Sequence, residues 1–445
     1  MNNQPESELG LDMKAPTLST TRERAEVQPD SPQALSGFAR RQILAITLTS
    51  LFTDISSEMM FNLLPLFLAN VLGAPTGVIG LIEGIAETTA SFMKSASGWL
   101  SDKLQRRKWL TVGGYTLSAV SKPFLYFATT WPLVLLVRFV DRTGKGIRNP
   151  PRDALIADSV NERQRGIAFG IHRAGDTMGA FLGQVIALLV VLSIQPQSMT
   201  LARETFQRIV LISIIPAVIA VLILAFGAKD VPVKIKDGTK AVSLGFGALN
   251  VHFRIFLLIV VIFTLGNSSD AFLILRAQER GLDVAQVLGM LITFNLVYAI
   301  VSGPAGALSD RIGRRRLIVF GWLVYSLLYF GFAAASTGWQ VWALYGLYGL
   351  YYGTVEGTAK ALVADLVPQE QRGTAYGYYN AAIGLVALPA SVLAGVLWQG
   401  AFGWHGFGPS APFLAGAALA LLAVVLLMLW TPFGKPGAQK PAPEH

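Results

Sequence analysis

Long apolar blocks separated by short polar intervals dominate this chain, in place of the short amphipathic rhythm of a water-soluble domain. Twelve blocks fall at roughly 43–71, 76–100, 109–128, 131–154, 167–193, 208–228, 254–275, 284–307, 317–335, 339–364, 374–398 and 411–431. Each is long enough for the ~20 helical residues that cross a bilayer. The pattern therefore predicts an all-α integral membrane protein with twelve transmembrane helices. Three polar stretches frame the blocks. Residues 1–38, rich in Glu, Ser, Thr and Pro, lack the apolar core of a signal peptide and read as a disordered tail. Residues 434–445 read likewise, and 229–253 read as a linker between a first bundle, 39–228, and a second, 254–433.

The two bundles repeat one another. ALIADSVNERQRGIAFG at 154–170 aligns with ALVADLVPQEQRGTAYG at 361–377, with ten of 17 positions identical. Chance composition predicts about one or two. GWLSDKLQRRK at 98–108 aligns with GALSDRIGRRR at 306–316, and FTDISSE at 52–58 resembles FTLGNSSD at 263–270 with one residue inserted. The pairs keep their order, which predicts two pseudo-symmetric six-helix halves in the same orientation. Such parallel repeats place a solute site at their interface near the bilayer midplane.

Composition agrees. Of 445 residues, 36 Lys and Arg plus 27 Asp and Glu make up 14%, against about 25% in a soluble domain. Too few charges remain to cover soluble surfaces, which argues against a soluble enzyme. The absence of cysteine excludes a disulfide scaffold, an iron–sulfur cluster and a thiolate zinc site. The net charge of +9 needs no nucleic-acid partner, because alternating topology puts the basic residues on one side. Lys103, Arg106, Arg107 and Lys108, then Arg163 and Arg165, then Lys229, Lys234, Lys236 and Lys240, then Arg311, Arg314, Arg315 and Arg316 fall on the same face. The opposite loops hold only Arg203, Arg208, Arg276 and Arg280. This bias predicts both termini and the linker in the cytoplasm.

The loop pattern after spans 2 and 8 resembles the signature of the major facilitator superfamily of transporters. The second copy carries Gly306, Asp310, Arg311, Gly313, Arg314 and Arg315, while the first has Gln105 where glycine is usual. Arg138 stands twenty residues before Asp158, as the family's membrane arginine does. Asp141 and Arg142 replace the common Gln and Gly, and Gln184 replaces the proline of the antiporter signature beside the row Gly175, Gly179 and Gly183. The block DRTGKGIRNPPRDALIADS at 141–159 is similar to that of a prokaryotic subgroup. The resemblance implies a multi-pass transporter of a prokaryotic inner membrane, with the helix-end residues Asp102, Arg106, Arg107, Asp310, Arg314 and Arg315 gating the cytoplasmic side.

Ionisable residues lie within the spans, most of them in the first half. Each costs about 2.5–3.5 kcal/mol at a helix centre, so each needs a partner or a wet cavity. Asp54 and Glu58 are four apart on span 1; Glu83 and Glu87 are four apart on span 2, with Lys94 seven further on. On span 4, Arg138, Asp141, Lys145, Arg148 and Arg152 form one stripe, with Arg142 beside it. Burial favours the protonated form of a carboxyl and a nearby cation favours the ionised form. Glu58, Asp54, Asp270, Glu83 and Glu87 are therefore proton-carrier candidates, Glu58 foremost because Asp270 is its repeat-mate. Arg138 with Lys94 and Lys122 can hold an anionic group on a solute, with Asp141, Glu356 and Lys360 as further solute contacts. Arg142, Lys145, Arg148 and Arg152 form a path to the cytoplasm.

Each reading has a structural rival. Glu83, Glu87 and Lys94 can be an internal salt-bridge set, and Glu58 a fixed partner of Lys122 or Arg138. Arg148 and Arg152 can snorkel to the headgroups, and Arg173 can simply pair with Asp176 three residues on. The glycine rows can serve close helix packing. Tyr345, Tyr348, Tyr351 and Tyr352 can be packing or cavity lining. His172 and His405 have no second ligand at metal spacing, so no metal or cofactor is expected. The sequence thus favours proton-coupled alternating-access transport of a small anionic or zwitterionic solute by a monomer. Export of drugs or organic cations is the second reading, and a non-transporting membrane sensor or assembly factor a third, of another class.

Overall fold

The computed structural model describes residues 36–104, 106–161, 164–231, 249–368, 371–401 and 403–430, apart from the side chain of Asp102. The tails, most of the linker, Gln105, Arg163 and the gating side chain of Asp102 thus lie outside the described residues. The described residues form twelve spans. Span 1 is Gly37–Val71, span 2 Thr76–Leu104, and span 3 Arg107–Ser121 prolonged by Lys122–Phe127. Span 4 is Trp131–Asp158, span 5 Arg165–Ile194 and span 6 Arg203–Gly227. Span 7 is two pieces, Val251–Gly266 and Ala271–Glu279. Span 8 is Val284–Ile312, span 9 Arg314–Ala334, span 10 Gly338–Leu366, span 11 Arg372–Gln399 and span 12 Ala411–Leu429.

Local chemistry sets the ends. Asp283 and Thr337 close capping boxes with Gln286 and Gln340, satisfying the first amides of spans 8 and 10. Gly313 sits at φ 95° between spans 8 and 9, a left-handed conformation that glycine adopts without steric cost. Eight spans are long and apolar enough on their own to cross a membrane. Spans 2, 3, 4 and 10 are the others, and they carry Glu83, Lys122, Arg138 and Glu356 into the protein. Phe226 and Leu385 are among many large apolar side chains left on the outside, the face that lipid covers.

Span 1 packs on spans 5 and 6, span 4 on spans 2 and 3, span 10 on spans 8 and 9, and span 12 on spans 7 and 9. The span 1–span 5 contact depends on the glycine row. A Cβ at Gly175 would come 2.4 Å from Thr47 Cγ2, one at Gly179 2.5 Å from Leu51 O, and one at Gly183 2.6 Å from Ile55 O. The packing reading of that row therefore holds.

The halves meet through span 2 on span 11 and span 5 on span 8. At the end away from the basic loops, Thr76 N–H donates to Gln399 Oε1 at 2.8 Å and Thr76 Oγ1 to Gly395 O at 3.0 Å. Gln278 Nε2 donates to Met199 O at 2.6 Å, joining the loops there. Toward the basic end, a Cβ at Gly170, Gly303, Gly306 or Gly377 would meet nothing within 4 Å. The halves are thus sealed at one end and part toward the other.

Candidate functional site

A cavity of about 410 Å³ lies between the halves. From the first half, Asp54, Glu58, Glu83, Glu87, Arg138, Asp141, Arg142, Lys145 and Arg148 line it; from the second, Asp270 is the one carboxylate on the wall. Each half brings its charges there differently. Span 1 is continuous helix through Glu58, whose Oε2 accepts from Asn62 Nδ2 at 2.9 Å. Its repeat-mate in span 7 carries the extra residue, and the helix breaks between Gly266 and Ala271. Asp270 stands at that break and accepts from Tyr348 at 3.2 Å and Tyr352 at 3.4 Å. Glu58 and Asp270 therefore share one cavity, as their repeat relationship predicts.

On span 4, Arg138 Nη2 meets Glu83 Oε2 at 2.6 Å, with the arginine 2% exposed. Its guanidinium lies 4.5 Å over the Phe61 ring. One turn on, Arg142 Nη2 reaches Glu87 Oε1 at 3.3 Å. Span 2 thus sends Glu83 and Glu87 to span 4. The proposed Glu83–Glu87–Lys94 set is replaced by two cross-helix pairs, and Lys94 is absent from the residues lining the cavity. Lys122 is buried, donating to Ser56 Oγ at 2.7 Å and Ser57 Oγ at 2.9 Å, with the Phe61 ring beside it. It stands in the wall rather than on the cavity surface, and among the described residues Glu58 forms an ion pair with neither Lys122 nor Arg138. Asp141 accepts from Ser118.

Lower in the stripe, Arg148 is 4% exposed and stacks at 4.3 Å on Tyr115. Burial on this scale is not headgroup snorkelling. Lys145 and Arg148 line the central cavity and a second one, which also holds Asp54, Glu58, Arg152 and Arg173. Arg152 pairs with Asp153 at 2.8 Å.

Several contacts cross helices in ways that spacing does not announce. Arg173 does not pair with Asp176. It donates to Tyr298 OH at 2.5 Å and lies 3.5 Å from Glu356 in the other half. Tyr298 OH donates to Glu356 Oε2 at 2.9 Å, and Lys360 completes the group at 3.3 Å. His172 Nδ1 faces Asp176 at 3.2 Å. Asn295 Nδ2 donates to Gln184 Oε1 at 2.8 Å across the halves. Glu356 and Lys360 open onto a third cavity beside the central one, walled by Phe263, Trp322, Tyr351, Tyr352 and Tyr379. Tyr345, Tyr348 and Tyr351 are buried in ring contacts, whereas Tyr352 lines the central cavity.

The loop arginines bind within their own halves. Arg107 pairs with Asp158, and in the second repeat Arg314, which aligns with Arg106 rather than Arg107, pairs with Asp365 at 2.6 Å. Arg314 also lies 3.7 Å from Asp310, while Arg315 donates to Leu427 O at 2.9 Å and Arg106 is exposed. Arg276, absent from the sequence candidates, is fully buried. It donates to Phe332 O, Ala333 O and Glu279 Oε2 at 2.6–3.0 Å, clamping span 7 to the end of span 9. Its place among the outer loop residues hid this role.

Comparisons with known proteins agree with this architecture. The model of the Major Facilitator Superfamily matches residues 46–294 and 255–445. An uncharacterised MFS-type transporter of Methanocaldococcus jannaschii is 34% identical over 396 residues, spanning 87% of this chain and 94% of the relative. Among solved structures, a bacterial homologue of the human lysosomal transporter Spinster, inward-facing and occupied, has a TM-score of 0.73 at 15% identity, covering 90% of this chain and 100% of that one. A D-xylose–proton symporter has a TM-score of 0.71 at 15% identity, covering 89% and 98%. Matched over most of its length by the family model and by a relative at 34% identity, this chain belongs to the Major Facilitator Superfamily and is a secondary transporter, not an enzyme.

Proposed function

We propose that the protein carries a small anionic or zwitterionic solute across a prokaryotic cytoplasmic membrane, coupled to protons, as a single chain with both termini in the cytoplasm. The observation that carries this reading is the convergence of ten ionisable side chains on one cavity between the halves. Six are carboxylates and four are cations. Glu58 and Asp270 face that space from opposite halves, and among the described residues their direct partners are the neutral hydrogen-bond donors Asn62, Tyr348 and Tyr352. A carboxyl in such surroundings exchanges a proton as the cavity opens to one side or the other. Glu83 and Glu87 neutralise Arg138 and Arg142, Asp54 stands beside Glu58, and the span-4 cations receive the solute. Asp310, Arg314, Arg106, Arg107 and Arg315 close the basic end in the opposite state.

Solute flux into proteoliposomes under an imposed pH gradient tests the coupling. Wild type should respond to the gradient, and Glu58→Gln and Asp270→Asn should lose that response. Flux that ignores the gradient in wild type, or variants that respond as wild type does, would reject it.

Export of an organic cation is the second reading. The cavity walled by five aromatic rings beside Glu356 supports it, since ring faces and a carboxylate attract a cation. A thermal-shift screen with anions and cations separates the two.

A further inference from the structure

Arg148 differs from its neighbours on span 4. Arg138, Arg142 and Arg152 each have a carboxylate within ion-pair distance. Among the described residues Arg148 has none, although it is 4% exposed and its Nε and Nη1 are buried without an acceptor. Burying an unpaired guanidinium is costly, and the chain invests in doing so. The guanidinium rests on the Tyr115 ring, which Ser50 Oγ holds at 2.9 Å through the phenol. Gly114 lets span 3 press against this point, because a Cβ there would come 2.8 Å from Arg148 Cβ. The side chain is thus fixed by stacking, not by charge, and its charge is left for something else. Lys145, three residues away on the same face, also lines both cavities with no carboxylate at ion-pair distance among the described residues.

The opposite wall has another chemistry. Nine charged residues from the first half line the cavity, against Asp270 alone from the second among the lining residues. Beside Ala271, Ile274, Ile383, Gly384 and Ala387, the second wall offers Thr264, Asn267, Ser268, Ser269, Tyr352 and Ser391, neutral groups that donate and accept hydrogen bonds. A solute filling this space meets an unspent cation on one side and hydroxyls and an amide on the other. The volume of about 410 Å³ lies within the ~300–1,000 Å³ of small-molecule sites.

We propose that Arg148, assisted by Lys145, is the anion anchor of the cavity, and that the cargo is a hydroxylated oxyanion, a sugar or polyol bearing a phosphate or carboxylate. This rests on the anionic reading above and narrows it. The charge docks on span 4, and the hydroxyls of the cargo exchange hydrogen bonds with spans 7, 10 and 11. Asp54 and Glu58 share the second cavity with Arg148, so proton and anion load neighbouring positions.

Thermal-shift and calorimetric titration of the purified full chain test this with five probes: glucose 6-phosphate, gluconate, glucose, butyrate and choline. The first two should bind at least about tenfold more tightly than glucose or butyrate. Phosphate and carboxylate are distinguished by which of the two binds better. Arg148→Gln should weaken the preferred probe at least about tenfold, with Arg148→Lys intermediate. Should Arg148→Gln fail to fold, Asn267→Leu provides the second arm and should erase the preference of the hydroxylated anion over butyrate. Unchanged binding in Arg148→Gln, an unchanged preference in Asn267→Leu, or no binding by any probe overturns the proposal. Butyrate binding as well as gluconate overturns the hydroxylated cargo while the anionic reading stands. Binding of choline alone overturns both.

Discussion

Arg138 of span 4 and Glu83 of span 2 meet at 2.6 Å with both side chains almost wholly out of solvent. Removing one member of a buried pair strands the other and costs about 3–5 kcal/mol, whereas replacing both with apolar residues is often nearly neutral. Arg138→Met and Glu83→Met should each lower the thermal unfolding midpoint sharply, and the double variant should recover most of the loss. A double variant as unstable as the sum of the singles would show that the two residues act independently.

The Arg173–Tyr298–Glu356 group ties the halves together below the cavity but is half open to solvent, with Arg173 57% and Glu356 37% exposed. Such a pair contributes about 1 kcal/mol at most, too little to hold the fold and enough to change a two-state population about fivefold. Arg173→Gln and Glu356→Gln should leave the thermal midpoint nearly unchanged and shift the maleimide labelling rate of Thr177→Cys by up to about fivefold. The chain has no cysteine of its own, so the label reports one position. A large fall in the midpoint with unchanged labelling would make the group a structural brace instead.

At the sealed end, Thr76 Oγ1 lies 3.3 Å from Gln399 Oε1. Thr76→Cys paired with Gln399→Cys should join in high yield with a short thiol cross-linker and stop flux, and a cleavable linker should restore flux on reduction. Full flux in the cross-linked protein would mean that this end need not open.

Gly179 lets span 1 approach span 5, and a Cβ there would lie 2.5 Å from Leu51 O. Overpacking of this kind costs about 1–3 kcal/mol, so Gly179→Val should lower stability by at least that much. Gly170→Ala on the same span, where a Cβ meets nothing within 4 Å, should be neutral. Equal effects would remove close packing as the reason for the row.

The twelve spans, the repeat and the sharing of one cavity by Glu58 and Asp270 could be read from the chain because each depends on local pattern: block length, aligned segments, and a shared face within a helix. Partners on other helices could not. Spacing places Arg173 within reach of Asp176, yet packing turns it to Tyr298 and Glu356. Lys122 finds Ser56 and Ser57, sixty-six and sixty-five residues away. Arg148 reads as part of a path to the cytoplasm or as a side chain snorkelling to the headgroups until Tyr115 and Gly114 are seen to enclose it. A helix face limits which residues point one way. Which neighbour stands opposite is decided by contacts that no period along the chain encodes.

The one residue added to span 7 has an angular consequence. Successive residues of an α-helix turn by about 100° around its axis. The break between Gly266 and Ala271 absorbs that turn. If Ser268 were deleted and the two pieces joined, the far piece would rotate by about a quarter of a turn and carry Asp270 away from Tyr348 and Tyr352. The break thus lets the longer span 7 keep its carboxylate turned toward the cavity that Glu58 lines, which a continuous helix of the same length would not do.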